Sequence, residues 1–153
     1  MGLARRHQAN RRSEAMTKRK DLNLEKWGIS KRRYRELYNF CLQYQEWRDE
    51  LKFCQDTLKS PQITGMPMSI TNKTGDPTGE LATRLVSLQK KCELIEQSCL
   101  EADSSIYQWL LKGVTEESAT FMWLWQRLNM PCCREYYNTS RRKFFYCLDK
   151  NKT

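Results

Sequence analysis

The sequence predicts an all-α protein: a long helical hairpin with a C-terminal helix-turn-helix and a basic, flexible N-terminal tail. Three observations predict it. Apolar residues recur at steps of three and four over two long stretches, which is the period of one helix face. A Pro/Gly-rich stretch separates the two. No run shows the alternation of a credible strand. At 153 residues the chain is long enough for one core and too short for two comfortable ones.

Residues 1–29 form the tail, where Arg5, Arg6, Arg11, Arg12, Lys18, Arg19 and Lys20 gather. Residues 1–35 hold twelve Lys/Arg against three acids, and 36–153 hold fifteen of each sign, so the whole net charge of +9 belongs to the head. Within the neutral remainder, 127–153 is basic again, seven against two, and 36–126 is acidic, eight against thirteen. Basic ends suit a partner with dense negative charge, because each Lys or Arg that neutralises a phosphate releases counterions. A basic tail can also serve solubility alone, and the acidic middle argues against a protein that coats polyanions in general.

No window of about eighteen apolar residues occurs, so no membrane span is expected. The basic start is not followed by the apolar segment of a secretory signal, and Glu14 weakens its likeness to a transit peptide. Met16, ahead of Thr17-Lys18-Arg19-Lys20, is an alternative start. Seven cysteines without framework spacing then read as reduced thiols in a cytoplasm.

Ser30 caps an N-terminal helix within residues 30–59, predicted to run from 31 to 58, with Leu37, Cys41, Tyr44, Trp47, Leu51, Cys54 and Leu58 on one face. Residues 60–79, "SPQITGMPMSITNKTGDPTG", are a loop long enough either to carry function or to wander. Asp76 is a good N-cap and Pro77 a good first residue for the next helix. In this long helix of residues 80–113, Leu81, Leu85, Leu88, Cys92, Ile95, Cys99, Ala102, Ile106 and Trp109 step by four and three alternately, a heptad seam with Gly113 as its C-terminal cap. A helix of about 50 Å cannot bury such a stripe against a small globule alone. It calls for the first helix beside it, a second copy in a homodimer, or both.

Residues 114–150 read as the helix-turn-helix region. Thr115, with Glu116 and Glu117 in the first turn, starts a third helix whose buried stripe is Phe121, Leu124 and Leu128. Asn129 ends it in a left-handed conformation, and Pro131 prevents its continuation. A fourth helix starts near Cys132. On a helical wheel Cys133, Tyr137, Ser140, Phe144, Cys147 and Leu148 gather on the buried side, and Glu135, Asn138, Thr139, Arg142, Lys143 and Tyr146 on the solvent side. Arg134, Arg141 and Phe145 fall toward the boundary.

Arg, Lys and Asn on that face are what phosphates and base edges accept as donors, which makes Arg134, Asn138, Arg141, Arg142 and Lys143 the candidate contacts. The plain alternative is a solvated basic face on a packing helix. Trp125 stands where a helix-turn-helix commonly has a small residue, Asn129 replaces the common glycine, and Tyr137 and Ser140 come about two residues late, so the turn is longer than usual. Trp123, Trp125, Phe145 and Tyr146 are alternative stacking platforms for a single strand; aromatics at helical spacing are more often core. Trp109 and Trp123 are expected to cement the last helices to the long one.

No metal or cofactor is expected. Adjacent Cys132 and Cys133 diverge, and the single histidine, His7, lies in the head. A vicinal-thiol redox pair is a weak reading of the same residues. No P-loop, dinucleotide fingerprint, zinc-protease helix or nucleophile elbow occurs, so no enzyme is expected.

The order of these parts resembles a family: Tyr34 to Leu37 near the start of the first helix, a Pro/Gly-rich loop, the Asp-Pro-Thr helix start at 76–78, a long heptad helix, and a terminal helix-turn-helix with "YYNTSRRKFFYCL". It resembles the late-gene transcription activators of phages and prophages of Gram-positive bacteria (RinA/ArpU type), whose C-terminal part is similar to the promoter-reading, sigma-region-4-like helix-turn-helix of sigma factors. The resemblance implies a transcriptional regulator in the bacterial host cytoplasm that binds duplex DNA without a catalytic step. It places DNA contacts at Arg134, Asn138, Arg141, Arg142 and Lys143, with charge reversal at Arg141 and Arg142 expected to abolish binding and leave the helical content unchanged. A second hypothesis is an interaction protein whose basic ends block a host nucleic-acid enzyme, such as a nuclease or RNA polymerase. A third is a non-catalytic helical assembly protein.

Overall fold

The computed structural model describes residues 22–58 and 77–152. Among them are a short 3-10 turn, Glu25–Trp27, and six α-helices: α1 Lys31–Leu42, α2 Tyr44–Leu58, α3 Pro77–Ala102, α4 Tyr107–Thr115, α5 Phe121–Leu128 and α6 Arg134–Lys152. The described residues contain no strand, and no helix among them is long and apolar enough to cross a membrane. The tail residues Arg5, Arg6, Arg11, Arg12, Lys18, Arg19 and Lys20, together with Met16 and Asp76, lie outside the described residues.

The first helix begins as its sequence requires. Ser30 Oγ accepts the backbone N–H of Arg33 at 3.2 Å and so satisfies a donor that the first turn leaves without a helical partner. The expected single helix from 31 to 58 is interrupted at Gln43, whose N–H turns back to Phe40 O in a tighter, 3-10-like step. The apolar stripe survives the irregularity: Tyr34, Leu37, Cys41, Tyr44 and Trp47 are buried, and Leu51 and Cys54 are half-buried.

α2 and α3 pair in opposite directions. Tyr44 donates to Glu96, Trp47 carries Lys91 over its ring, and Arg84 bridges to Glu50 at 2.8 Å, so residues rise along one helix as they fall along the other. Leu88, Cys92, Ile95, Cys99 and Ala102 are buried within this chain, whereas Leu85 is half-buried and Leu81 is exposed.

The long helix does not reach residue 112. It stops after Ala102 because the Asp103 carboxylate accepts both the N–H (3.0 Å) and the hydroxyl (2.6 Å) of Ser105, a local turn that competes with the helical ladder. Ile106 is buried in the corner, and Trp109 is half-buried on the next helix, so the two last members of the predicted seam belong to a different axis.

Two further expectations change with that corner. Thr115 does not start a helix. It is the last residue of α4, buried, with its hydroxyl donating to Leu111 O, and the next helix is capped by Thr120, whose Oγ1 accepts Trp123 N–H. Gly113 does not cap either. It lies inside α4 and is there because Tyr137 presses on it: a Cβ at 113 would collide with Tyr137 Oη. Asn129 does end α5 in the left-handed region, with φ 49° and ψ 48°.

α6 packs against α3, α1 and α4. Tyr137, Phe144, Phe145 and Leu148 are fully buried there, among Leu37, Ile95, Leu110, Val114 and Leu124. Each such side chain contributes about 2–3 kcal/mol by leaving water, so the strongly polar α6 is held mainly by these few residues.

Candidate nucleic-acid interface

The basic helix carries its charges unevenly because it is packed on two sides. Ser140, Phe144 and Leu148 alone would make a narrow stripe, but Tyr137, Arg141 and Phe145 are buried beside them, which widens the covered arc. Arg141, placed at the boundary by the helical wheel, is therefore 7% exposed and not on the outer face. Phe145, one of the proposed stacking platforms, is fully buried, with its ring 4.9 Å from that of Tyr34. Cys133 is exposed, not buried: it precedes α6, and its carbonyl accepts the Tyr137 N–H, so a wheel drawn through α6 does not include it.

The remaining candidates do reach the surface. Arg134 and Lys143 are exposed and Asn138 and Arg142 half-buried. The Arg134 guanidinium stands 5.3 Å from the Phe121 ring centroid, which joins the start of α6 to α5. Farther along, Tyr146 is half-buried between Trp27, at 5.4 Å between ring centroids, and the Lys150 ammonium, at 4.4 Å. Trp27 falls within the expected tail of residues 1–29, but Leu24 and Ile29 on either side of its 3-10 turn are buried in the core, so the end of that segment packs on the outer side of α6 and is not part of a flexible tail.

α1 adds charge that the residue pattern counts but does not place. Lys31 and Arg32 are exposed in its first turn, the positive end of the helix dipole, where basic side chains are unfavourable unless an anion offsets them. Arg33 beside them holds α1 to α6 through Asp149 at 2.6 Å and also pairs with Glu36. Lys152 reaches the same Glu36 at 2.9 Å. The signal is available in the sequence, since three consecutive basic residues come directly after the cap Ser30.

The attitude of α6 is set by Asp103. Its carboxylate accepts the Ser140 hydroxyl at 3.0 Å and a hydrogen bond from Tyr136, besides the two from Ser105. Partial burial pushes this carboxyl up, but the hydrogen bonds outweigh it and hold it at about 2. Tyr136 and Ser140 are one helical turn apart, so one carboxylate ties the first two turns of α6 to the α3–α4 corner.

The other side chains offer little chemistry. Burial pushes the Cys41 and Cys99 thiols up, and that of Cys132 to a lesser degree, the opposite of what a reactive thiolate needs. Among the described residues no cluster of three or more His, Cys, Asp or Glu could hold a metal ion. α5 presents an apolar outer face, Met122, Trp125 and Leu128, with Trp125 53% exposed. Trp123 is half-buried under the Lys112 ammonium, and the indole N–H of Trp109 donates to Leu128 O at 2.9 Å, so Trp109 ties α4 to α5. No family model, no curated protein and no solved structure matches this chain.

Proposed function

We propose that this protein is a DNA-binding transcriptional regulator of the phage late-gene activator type, with α5 and α6 as its helix-turn-helix and the outer face of α6 against duplex DNA. The observation that carries the reading is the run Arg134, Asn138, Arg142 and Lys143 along the accessible side of one helix, directly after a short connection from α5. Lys31 and Arg32 of α1 extend that surface, and the tail residues Arg5 to Lys20 supply further phosphate contacts. The protein acts without catalysis in a bacterial host cytoplasm, alone or as a homodimer, with host RNA polymerase as a second partner.

The test is binding to duplex DNA from its own upstream promoter and to random duplex, across a salt series. Promoter DNA is expected to bind the more tightly, with a steep loss of affinity as salt rises. Reversing Arg142 and Lys143 together to Glu should remove binding and leave the far-ultraviolet circular dichroism unchanged. A specificity ratio near one would sink the regulator reading. A second reading, a protein that docks on and blocks a host nuclease or RNA polymerase, is favoured by the exposed Met122, Trp125 and Leu128, which a DNA backbone would leave uncovered. In that case free DNA binds weakly, and the host enzyme co-purifies.

A further inference from the structure

Arg141 is the least comfortable charge among the described residues. It is 7% exposed, and its Nε and Nη2 are buried with no hydrogen-bond partner among the described residues. Those two nitrogens form one edge of the guanidinium, a pair of parallel donors whose spacing matches the two oxygens of a carboxylate or phosphate. No carboxylate among the described residues fills that edge, and the acid that ties down this part of α6, Asp103, is taken up by Ser105, Ser140 and Tyr136. The nearest compensation is the Tyr137 ring, 5.8 Å from Cζ, at the outer limit of a cation–π contact. An uncompensated buried guanidinium is among the costliest groups a protein interior can hold.

Its position suggests where the cost is recovered. Asn138 and Arg142, the residues three before and one after, open to the outer face of α6. A long aliphatic stem lets an arginine head travel from a packed slot to an adjoining surface while its methylenes stay covered. We propose that Arg141 is a stored phosphate contact, its guanidinium folded against Tyr137 in the free protein and drawn out to a backbone phosphate when α6 meets nucleic acid. The idea rests on the nucleic-acid reading above and adds a coupling to it. The free protein bears the cost of an unpartnered fork, and binding relieves it, so affinity gains from Arg141 in two ways.

An apolar side chain of similar volume separates this from a packing role. In the full-length protein, Arg141→Met is expected to keep or raise the thermal midpoint, since it removes a buried charge. It should at the same time weaken duplex binding about ten-fold and lower the slope of log affinity against log salt by about one. Arg141→Lys, which keeps the charge and loses the fork, should retain the slope and give up only part of the affinity. A Met variant with wild-type affinity and slope overturns the inference. The slopes are read on random duplex as well as on promoter DNA, so loss of sequence preference, which defeats the regulator reading, leaves this test intact. Should the Met variant fail to fold, the Arg141 Nε–H resonance of the wild-type protein decides: it must shift on adding duplex, and an unmoved signal overturns the proposal.

Discussion

The two halves of α3 carry the same spacing of apolar residues and meet opposite surroundings. From Leu88 to Ala102 the stripe is closed over, whereas Leu85 is half-buried and Leu81 is 39% exposed. The reason lies in which helices accompany it at each level. α6 accompanies the C-terminal end of α3, where Asn151 donates to Ser98 and Glu101 and Ser140 to Asp103, and α2 runs beside it from Glu96 to Arg84. Toward residue 80 the salt bridge from Arg84 to Glu50 marks α2 as the neighbour that continues. Periodicity states which face a helix needs covered; how much of it is covered depends on where other helices end.

That contrast can be broken most sharply in its buried half. Replacing Ile95 with Ala should cost about 3 kcal/mol of unfolding free energy in a denaturant titration, the loss expected where a packed site cannot collapse. A loss no larger than that at an exposed position would mean the two halves do not differ. Gly113→Ala comes next, at about 2 kcal/mol, because the new Cβ meets the Tyr137 hydroxyl inside the corner on which α6 rests. Adding Tyr137→Phe removes the clashing oxygen, so the double variant should recover part of that loss, and simple additivity would show that the two residues do not touch.

A smaller effect belongs to Asp103, the carboxylate that joins the corner to α6. Its folded value of about 2 lies below that of an unfolded aspartate, so its contribution is fully present above about pH 4 and is lost as the pH falls toward 2. Thermal midpoints of the wild type and Asp103→Asn should therefore differ at neutral pH and converge on acidification; a constant gap would assign the effect to shape and not to charge. The smallest change is expected at the open end of α3. Leu81→Ala should cost about 1 kcal/mol, well below the loss at Ile95, since 39% of that residue stays in water and the site is open to relax. A larger loss would reveal a cover over that end, and dependence on protein concentration would identify it as a second copy.

Much of the local architecture was legible in the residues. Ser30 as a cap, Pro77 at a helix start, Asn129 as a left-handed stop and the stripe from Leu88 to Cys99 derive from backbone preference and period alone, which act within a few residues. The misplaced elements were those where a local competitor or a distant contact outranked the pattern. Asp103 and Ser105 close a turn in the middle of an unbroken apolar rhythm, and Gly113 looked like a cap ten residues later because nothing nearby announces Tyr137. Of the candidate site, Arg134, Asn138, Arg142 and Lys143 could be placed from spacing on one helix, and Lys31 and Arg32 could not, since they come from a helix about a hundred residues away in the chain.

The sequence by itself determined the helical class, the charge at both ends and the candidate basic helix, because period, composition and capping chemistry are properties of short stretches. Only the tertiary structure decided that Arg141 and Arg142, adjacent in the chain, have different surroundings. α6 is packed against α3, α1 and α4 together, and the width of that covered arc depends on helices that no local pattern can count.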